Sequence, residues 1–289
     1  MARRLFRRFI NTVSGARRAV VLPQARAAQD KALDDRYDMR VARPENAIDL
    51  FEGEWSGALP DLPSNGKPAF FTDPRIDFFE RACGGYTGKS VLELGPLEAS
   101  HTYMLQKKGA ASITSIEANT RAYFKCLIVK NNYRLDKAQF LLGDFLKYLD
   151  EEPRRFDAIV ASGVLYHMSD PVALIEAMCR SADAIGIWSH YYDHDIISRH
   201  PVYAGRFAAP ETIQHRGVPV TMSRQTYVQQ VLDWKGFCGG AERVTRWVEK
   251  ASLLRLFDAL GFDVEIGKDD PAHVNGPALT FVARKRKGA

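Results

Sequence analysis

The feature that most constrains the fold is a regular alternation between residues 75 and 189. Segments with apolar residues at helical spacing are separated by short apolar runs rich in Val, Ile and Leu. The pattern predicts helices near 75–83, 100–108, 120–131, 144–149 and 171–181. Between them it predicts strands at 89–95, 112–117, 138–142, 156–162 and 184–189. Strands joined through helices of this length build βαβ units, so an α/β architecture with a parallel sheet covered on both faces is expected. The rhythm breaks over 190–245, which is polar, aromatic and glycine-rich. It resumes with a helix at 247–260 and strands at 262–267 and 278–284. In "DALGFDVE" the helix closes at Gly261, a glycine stop ahead of a strand. The expected organisation is a core over 75–189 and 246–289, with an inserted substrate cap over 190–245. Ahead of the core, 30–74 reads as an irregular connector or lid, dense in Pro, Gly, Asp and Asn.

Charge is distributed unevenly. The chain of 289 residues carries a net +5, yet residues 1–29 hold seven arginines and no acid, leaving 33 basic against 35 acidic residues in the body. Wound at helical pitch, "MARRLFRRFINTVSG" places Leu5, Phe6, Phe9, Ile10 and Val13 on one arc. Arg3, Arg4, Arg7, Arg8, Asn11 and Ser14 fall on the other. A basic amphipathic arm over 1–29 suits an anionic membrane surface or a phosphate backbone. It equally suits a helix docked on the body, or an Arg-rich presequence. No apolar run approaches the roughly 18 residues of a membrane span. Cys83, Cys126, Cys179 and Cys238 form no Cys-x-x-Cys pair, so no metal site is expected and a cytoplasmic location fits, with peripheral membrane contact through the arm as an addition.

Three strands in succession end in an acid. Glu93 closes the first, beside the turn Gly95-Pro96; ligands of open α/β sheets bind at that edge, and glycine lets backbone approach them. The helix starting near Ser100 or His101 aims free N–H groups at an anionic ligand group. Glu117 ends the second strand in "SITSIEAN", where a carboxylate suits two vicinal ribose hydroxyls. Asp144 follows the third strand in "FLLGDF", where it could accept from an adenine amino group while Phe145 packs on the ring. Each acid alone is as well read as a solvated turn residue; their common phase points to a nucleoside-binding edge. A dinucleotide site wants G-x-G-x-x-G. Here Gly95 is followed by Pro-Leu-Glu-Ala, and Glu98 would oppose a pyrophosphate. That disfavours a Rossmann oxidoreductase.

With these residues in view, the chain resembles the class I S-adenosylmethionine-dependent methyltransferases over roughly 75–189 and 245–284. "VLELGPLEASHT" is similar to that family's first motif, "SIEAN" to its ribose-binding acid and "GDF" to its adenine segment. "FDAIVASGVLYHMSDPVALI" is similar to its fourth strand and following helix. Within it, "GVLYH" is also similar to the corresponding segment of the tRNA wobble-uridine carboxymethyl-transferring enzymes and their relatives. The resemblance implies a Rossmann-like sheet of seven mostly parallel strands, the last antiparallel, with helices on both faces and an inserted lid. It implies S-adenosylmethionine as cofactor, with Glu93, Gly95 and Leu97 at its methionine end. Glu117, with Asn119 beside it, would hold the ribose; Asp144 and Phe145 the adenine; Ser162 and Gly163 would lie near the sulfonium. The family's later loop glycines are replaced here by Leu97 and Ala99.

Methyl transfer from a sulfonium is a direct displacement, for which alignment supplies much of the rate, and a base is needed only for a weakly acidic nucleophile. Candidates are Tyr166 and His167 after the fourth strand, and His190, Tyr191 and His194 within "IWSHYYDHD" after the fifth. Structural aromatic packing is the plain alternative for both groups. The insert's Arg, His and Trp among glycines suit an anionic or aromatic substrate. The first expectation is a methyltransferase acting on a small molecule. The alternatives are a tRNA-modifying methyl- or carboxymethyltransferase and a non-catalytic cofactor-binding partner subunit.

Overall fold

A computed structural model describes residues 37–288 of the protein, apart from 63, 65, 67, 152, 153, 201, 202, 235, 237 and 238. The arm read over 1–29 lies outside the described residues.

The core is a seven-stranded sheet: β1 (Ser90–Leu94), β2 (Ser112–Glu117), β3 (Ala138–Leu142), β4 (Ala158–Ser162), β5 (Ala184–His190), β9 (Phe262–Asp270) and β10 (Ala278–Lys285). Their order is β3-β2-β1-β4-β5-β10-β9. The pairs among β1 to β5 are parallel, while β10 runs antiparallel to both β5 and β9. This is the Rossmann-like class I methyltransferase sheet. Helices α1 (Pro74–Ala82), α2 (Ser100–Lys107), α3 (Thr120–Tyr133), α4 (Phe145–Glu151), α5 (Pro171–Ser181) and α8 (Lys250–Ala259) flank it.

Successive strand residues point to opposite faces, and both faces are covered, which is why these strands read as nearly continuous apolar runs. Leu92 and Leu94 pack with Ile159, Ile185, Leu174 of α5 and Leu256 of α8. Val91 and Val160 pack on the other face with Ile76 and Phe79 of α1 and Leu105 of α2. Side-chain caps set the helix starts: Asp73 for α1, Asn119 for α3 and Asp170 for α5, with Pro at the first turn of α1 and α5.

The segment before α1 is exposed over 37–45 and packs onto the core from Ile48 onward. Short 3₁₀ helices span Pro44–Phe51 and Pro68–Thr72. Ile48, Phe51, Trp55, Leu59 and Phe71 are buried in the second core cluster. The region after β5 holds structure that the sequence pattern does not announce. It contains α6 (His194–Arg199), α7 (Gln229–Leu232) and a three-stranded antiparallel sheet of β6 (Glu211–His215), β7 (Val218–Thr226) and β8 (Val244–Val248). The β6–β7 hairpin turns at Arg216-Gly217, both with positive φ (50° and 78°), as a two-residue primed turn requires. The helix read from 247 starts at Lys250 instead, because Trp247 and Val248 are buried in the β8 ladder opposite Ser223 and Met222.

Candidate active site

The turn after β1 builds one wall of a groove at the carboxyl edge of the sheet. Gly95 has φ +64° and donates its N–H to Ile116 O at 3.0 Å. A Cβ there would stand 3.3 Å from Val164 Cγ2. Leu97 and Ala99 also take left-handed backbone, φ +55° and +60°, although neither is glycine. Such residues cost on the order of 1–2 kcal/mol each, so neighbours must hold them. Leu97 N–H donates to Glu117 Oε2 at 3.1 Å. Glu98, 2% exposed, faces away from the groove. It accepts from Ser56 N–H (2.9 Å), Gly57 N–H (3.0 Å) and Lys125 Nζ (3.0 Å). Lys125 also donates to Glu54 O, and Arg121 pairs with the Glu54 carboxylate. The turn is thereby strapped to residues 54–57.

The three strand-end acids have three different surroundings. Glu117 lines the groove, held by Leu97 N–H and by Asn119 N–H at 2.8 Å. Burial pushes its carboxyl pKa up, partly offset by those backbone bonds. One bond on each oxygen leaves lone pairs for a diol. Glu93 is outside the groove lining, 1% exposed. Its Oε2 accepts from the Thr102 hydroxyl and from Ser115 Oγ at 2.8 Å, while Oε1 has no partner among the described residues. Burial raises its pKa as well. Asp144 is exposed; its Oδ1 accepts from Leu146 N–H (2.8 Å) at the start of α4, and only its neighbour Phe145 lines the groove. The acids therefore do not converge on one ligand position, contrary to the reading from their common phase. Asn119 lines the groove while its Oδ1 caps α3.

The opposite wall comes from β4 and β5. The cavity, about 530 Å³, is lined there by Ser162, Gly163, Tyr166, His167, Met168 and Trp188, and by Gly239–Ala241 of the insert. Ser162 Oγ is buried and has no partner among the described residues. His167 Nδ1 lies 2.6 Å from the Tyr227 hydroxyl. Burial, with a contribution from His190, lowers the His167 pKa to about 3, so its imidazole is neutral at working pH and a weak base. His190 is behind this wall. Its ring stacks on Trp247 (centroids 4.9 Å apart) and meets Tyr166 edge-on at 4.6 Å. Its Nδ1 lies 2.9 Å from Gly276 O, and burial lowers its pKa to about 4. Strand alternation sends Tyr191 to the other face, where its hydroxyl donates to Asp269. His194 is exposed, 3.1 Å from the Tyr192 hydroxyl. Of the sequence candidates for chemistry, Tyr166 and His167 reach the groove; Tyr191 and His194 do not.

The lining also holds Phe70 and Arg75, which the sequence pattern does not mark, and His101, expected only as a helix start. Buried Asp73 binds both Arg75 and His101 Nε2, the latter at 3.0 Å. Burial would raise the Asp73 pKa, but these hydrogen bonds outweigh it and hold the carboxyl well below its usual range. The dipeptide Asp73-Pro74 signals a helix cap, but nothing local signals that Arg75 reaches Trp188, with Cζ 4.5 Å from the ring centroid.

Residues 92–187 match the family model described as a methyltransferase domain. Among solved structures, the N-terminal domain of EvdMO1 in the presence of SAH and D-fucose aligns with a TM-score of 0.63 at 21% identity, covering 84% of this chain and 95% of that one. The same domain with SAH bound gives 0.62 at 20%, with the same coverage. A putative S-adenosylmethionine-dependent methyltransferase from Listeria monocytogenes gives 0.50 at 12%, covering 74% and 99%. No curated protein sequence matches the chain. The groove fits the donor that this fold implies: Glu117 presents a carboxylate for a diol, Ser162 Oγ lacks a partner among the described residues, and Gly95 keeps the turn clear of Val164. Over residues 92–187 the chain thus matches a methyltransferase-domain model, on a Rossmann-like class I methyltransferase fold whose cofactor is S-adenosylmethionine.

Proposed function

We propose that the protein transfers a methyl group to a small-molecule acceptor held against Tyr166, His167 and Trp188 beneath the 239–241 segment of the insert. The observation that carries this reading is one cavity running from Glu117 and Asn119 to Tyr166, His167 and Gly239–Ala241. When bound, S-adenosylmethionine supplies an electrophilic methyl group. Glu117 would accept the ribose hydroxyls and Phe145 would pack on the base, while Ser162 and Gly163 line the middle of the groove. Tyr166 and His167 would orient the acceptor. A neutral His167 of depressed basicity suits hydrogen bonding to an acceptor better than removal of a proton from an alcohol. A small molecule is favoured over tRNA because Arg75 is the one lysine or arginine among the described residues lining the groove. A reader of a phosphate backbone presents several cations along its track.

Calorimetry with S-adenosylhomocysteine is the first test. Wild type should bind, and Glu117→Ala should lose about ten- to hundredfold in affinity, the worth of charge-assisted hydrogen bonds. Labelled donor should then mark a small molecule from a panel of hydroxylated and aromatic compounds. Sugars belong in that panel because the EvdMO1 domain was studied in the presence of D-fucose. Equal binding by the variant, or label found only in tRNA, would refute the reading; binding without any transfer would support the non-catalytic alternative.

A further inference from the structure

We propose that Arg75 is the specificity residue of the groove and selects an acceptor bearing a carboxylate. The inference rests on the reading of this groove as a methyl-transfer site and adds the acceptor's chemical class. Arg75 lies in the cavity wall, its side chain 26% exposed. One edge of its guanidinium is committed: Nε donates to both Asp73 oxygens (2.9 and 2.8 Å), and Nη2 donates to Oδ2. Among the described residues Nη1 has no protein partner. A guanidinium gripped along its Nε edge still presents Nη1–H and the second Nη2–H as an end-on fork, the two-donor geometry that matches a carboxylate. Its face is fixed as well, because Cζ stands 4.5 Å from the centroid of the Trp188 ring. The fork is thus held before any ligand arrives, which reduces the entropic cost of recognition.

Strand order separates this position from the donor's ribose. Glu117 ends β2 and Trp188 lies on β5, with β1 and β4 between them. At about 4.8 Å per strand that is roughly 14 Å across the sheet edge. Trp188 also meets Tyr166 edge-on, with ring centroids 5.8 Å apart, so the fork stands beside the aromatic wall assigned to the acceptor. The carboxylate that holds it, Asp73, is 4% exposed and already saturated by Arg75 and His101. A phosphate group spreads its charge over three oxygens and would call for more than one such cation. A single planar fork flanked by aromatic rings suits an aromatic or alicyclic carboxylic acid.

The test is calorimetric titration of the full-length protein with benzoate and with its neutral analogue benzamide, each with and without saturating S-adenosylhomocysteine. Wild type should prefer benzoate by about ten- to hundredfold. Arg75→Gln should reduce benzoate to the level of benzamide and leave S-adenosylhomocysteine affinity within about twofold. Arg75→Lys, which keeps the charge and loses the fork, should retain only part of the preference and guards against a misfolded glutamine variant. Equal binding of the two probes by wild type, or an undiminished preference in both variants, overturns the proposal. Loss of S-adenosylhomocysteine affinity in the variants also overturns it, since the guanidinium would then serve the donor's own carboxylate. Failure of wild type to bind S-adenosylhomocysteine would defeat the functional reading instead, and the donor-free titrations would still decide the anion site.

Discussion

Replacing His190 by phenylalanine should lower stability at neutral pH and raise it in acid. In the folded protein burial holds the His190 pKa near 4, against 6.5 unperturbed. Between those values the unfolded chain binds the extra proton, so this histidine's contribution is intact above pH 6.5 and is lost as pH falls toward 4. At pH 4.5 the loss comes to about 2.5 kcal/mol, taking about 1.4 kcal/mol per unit, and at pH 7.5 it is negligible. Phenylalanine carries no such penalty and can keep the stack on Trp247, but it forfeits the contact between Nδ1 and Gly276 O at 2.9 Å. A buried carbonyl without its donor costs about 1–2 kcal/mol. His190→Phe should therefore be about 1–2 kcal/mol less stable than wild type at pH 7.5 and about 1 kcal/mol more stable at pH 4.5, the curves crossing near pH 5.5. Urea unfolding of both proteins at several pH values reads this directly, and titrations common to the two largely cancel in the difference. A constant gap from pH 7.5 to 4.5 would mean that folded His190 titrates normally, and the argument from its burial would fail.

Glu98→Ala should cost about 3–5 kcal/mol, because it strips the buried Lys125 ammonium of its carboxylate and frees the Ser56 and Gly57 amides; a variant that unfolds at the wild-type urea midpoint would contradict this. Glu93 has a raised pKa, so its stabilising contribution is greatest below the unfolded value of 4.5 and declines as pH rises through the folded one. Glu93→Gln should therefore gain on wild type in donor-free protein between pH 4.5 and 8, and thermal melts that keep a fixed offset over that range would refute it. Removing residues 1–29, with their seven arginines and no acid, should weaken retention on vesicles containing phosphatidylserine while S-adenosylhomocysteine affinity holds. Equal retention of both proteins would dismiss the arm as a surface contact.

What could be read in advance follows from where the information lies in the chain. β4 reads plainly because Ala158–Ala161 are buried on both faces, leaving an unbroken apolar run. Glu117 is legible because a carboxylate at the end of a parallel strand lies at the ligand edge. Asp144 sends the same signal, yet it caps α4, since an acid between strand and helix serves either purpose. The density of His and Tyr after β5 misleads for a simpler reason: the two-residue period separates His190 from Tyr191. β6 is hidden because Glu211–His215 has no buried residue and so no alternation. Arg75 and Trp188 are 113 positions apart, and their contact arises only once α1 packs across the sheet.

The left-handed backbone at Leu97 and Ala99 makes the groove a borrowed shape. Neither residue would choose that bend by itself, so its persistence is leased from the clasp that Glu98 makes with residues 56 and 57. A nick in the polypeptide near position 55 would thus be felt at the donor's seat, and a fragment trimmed to begin at the first sheet strand would keep the motif's letters while losing its curve.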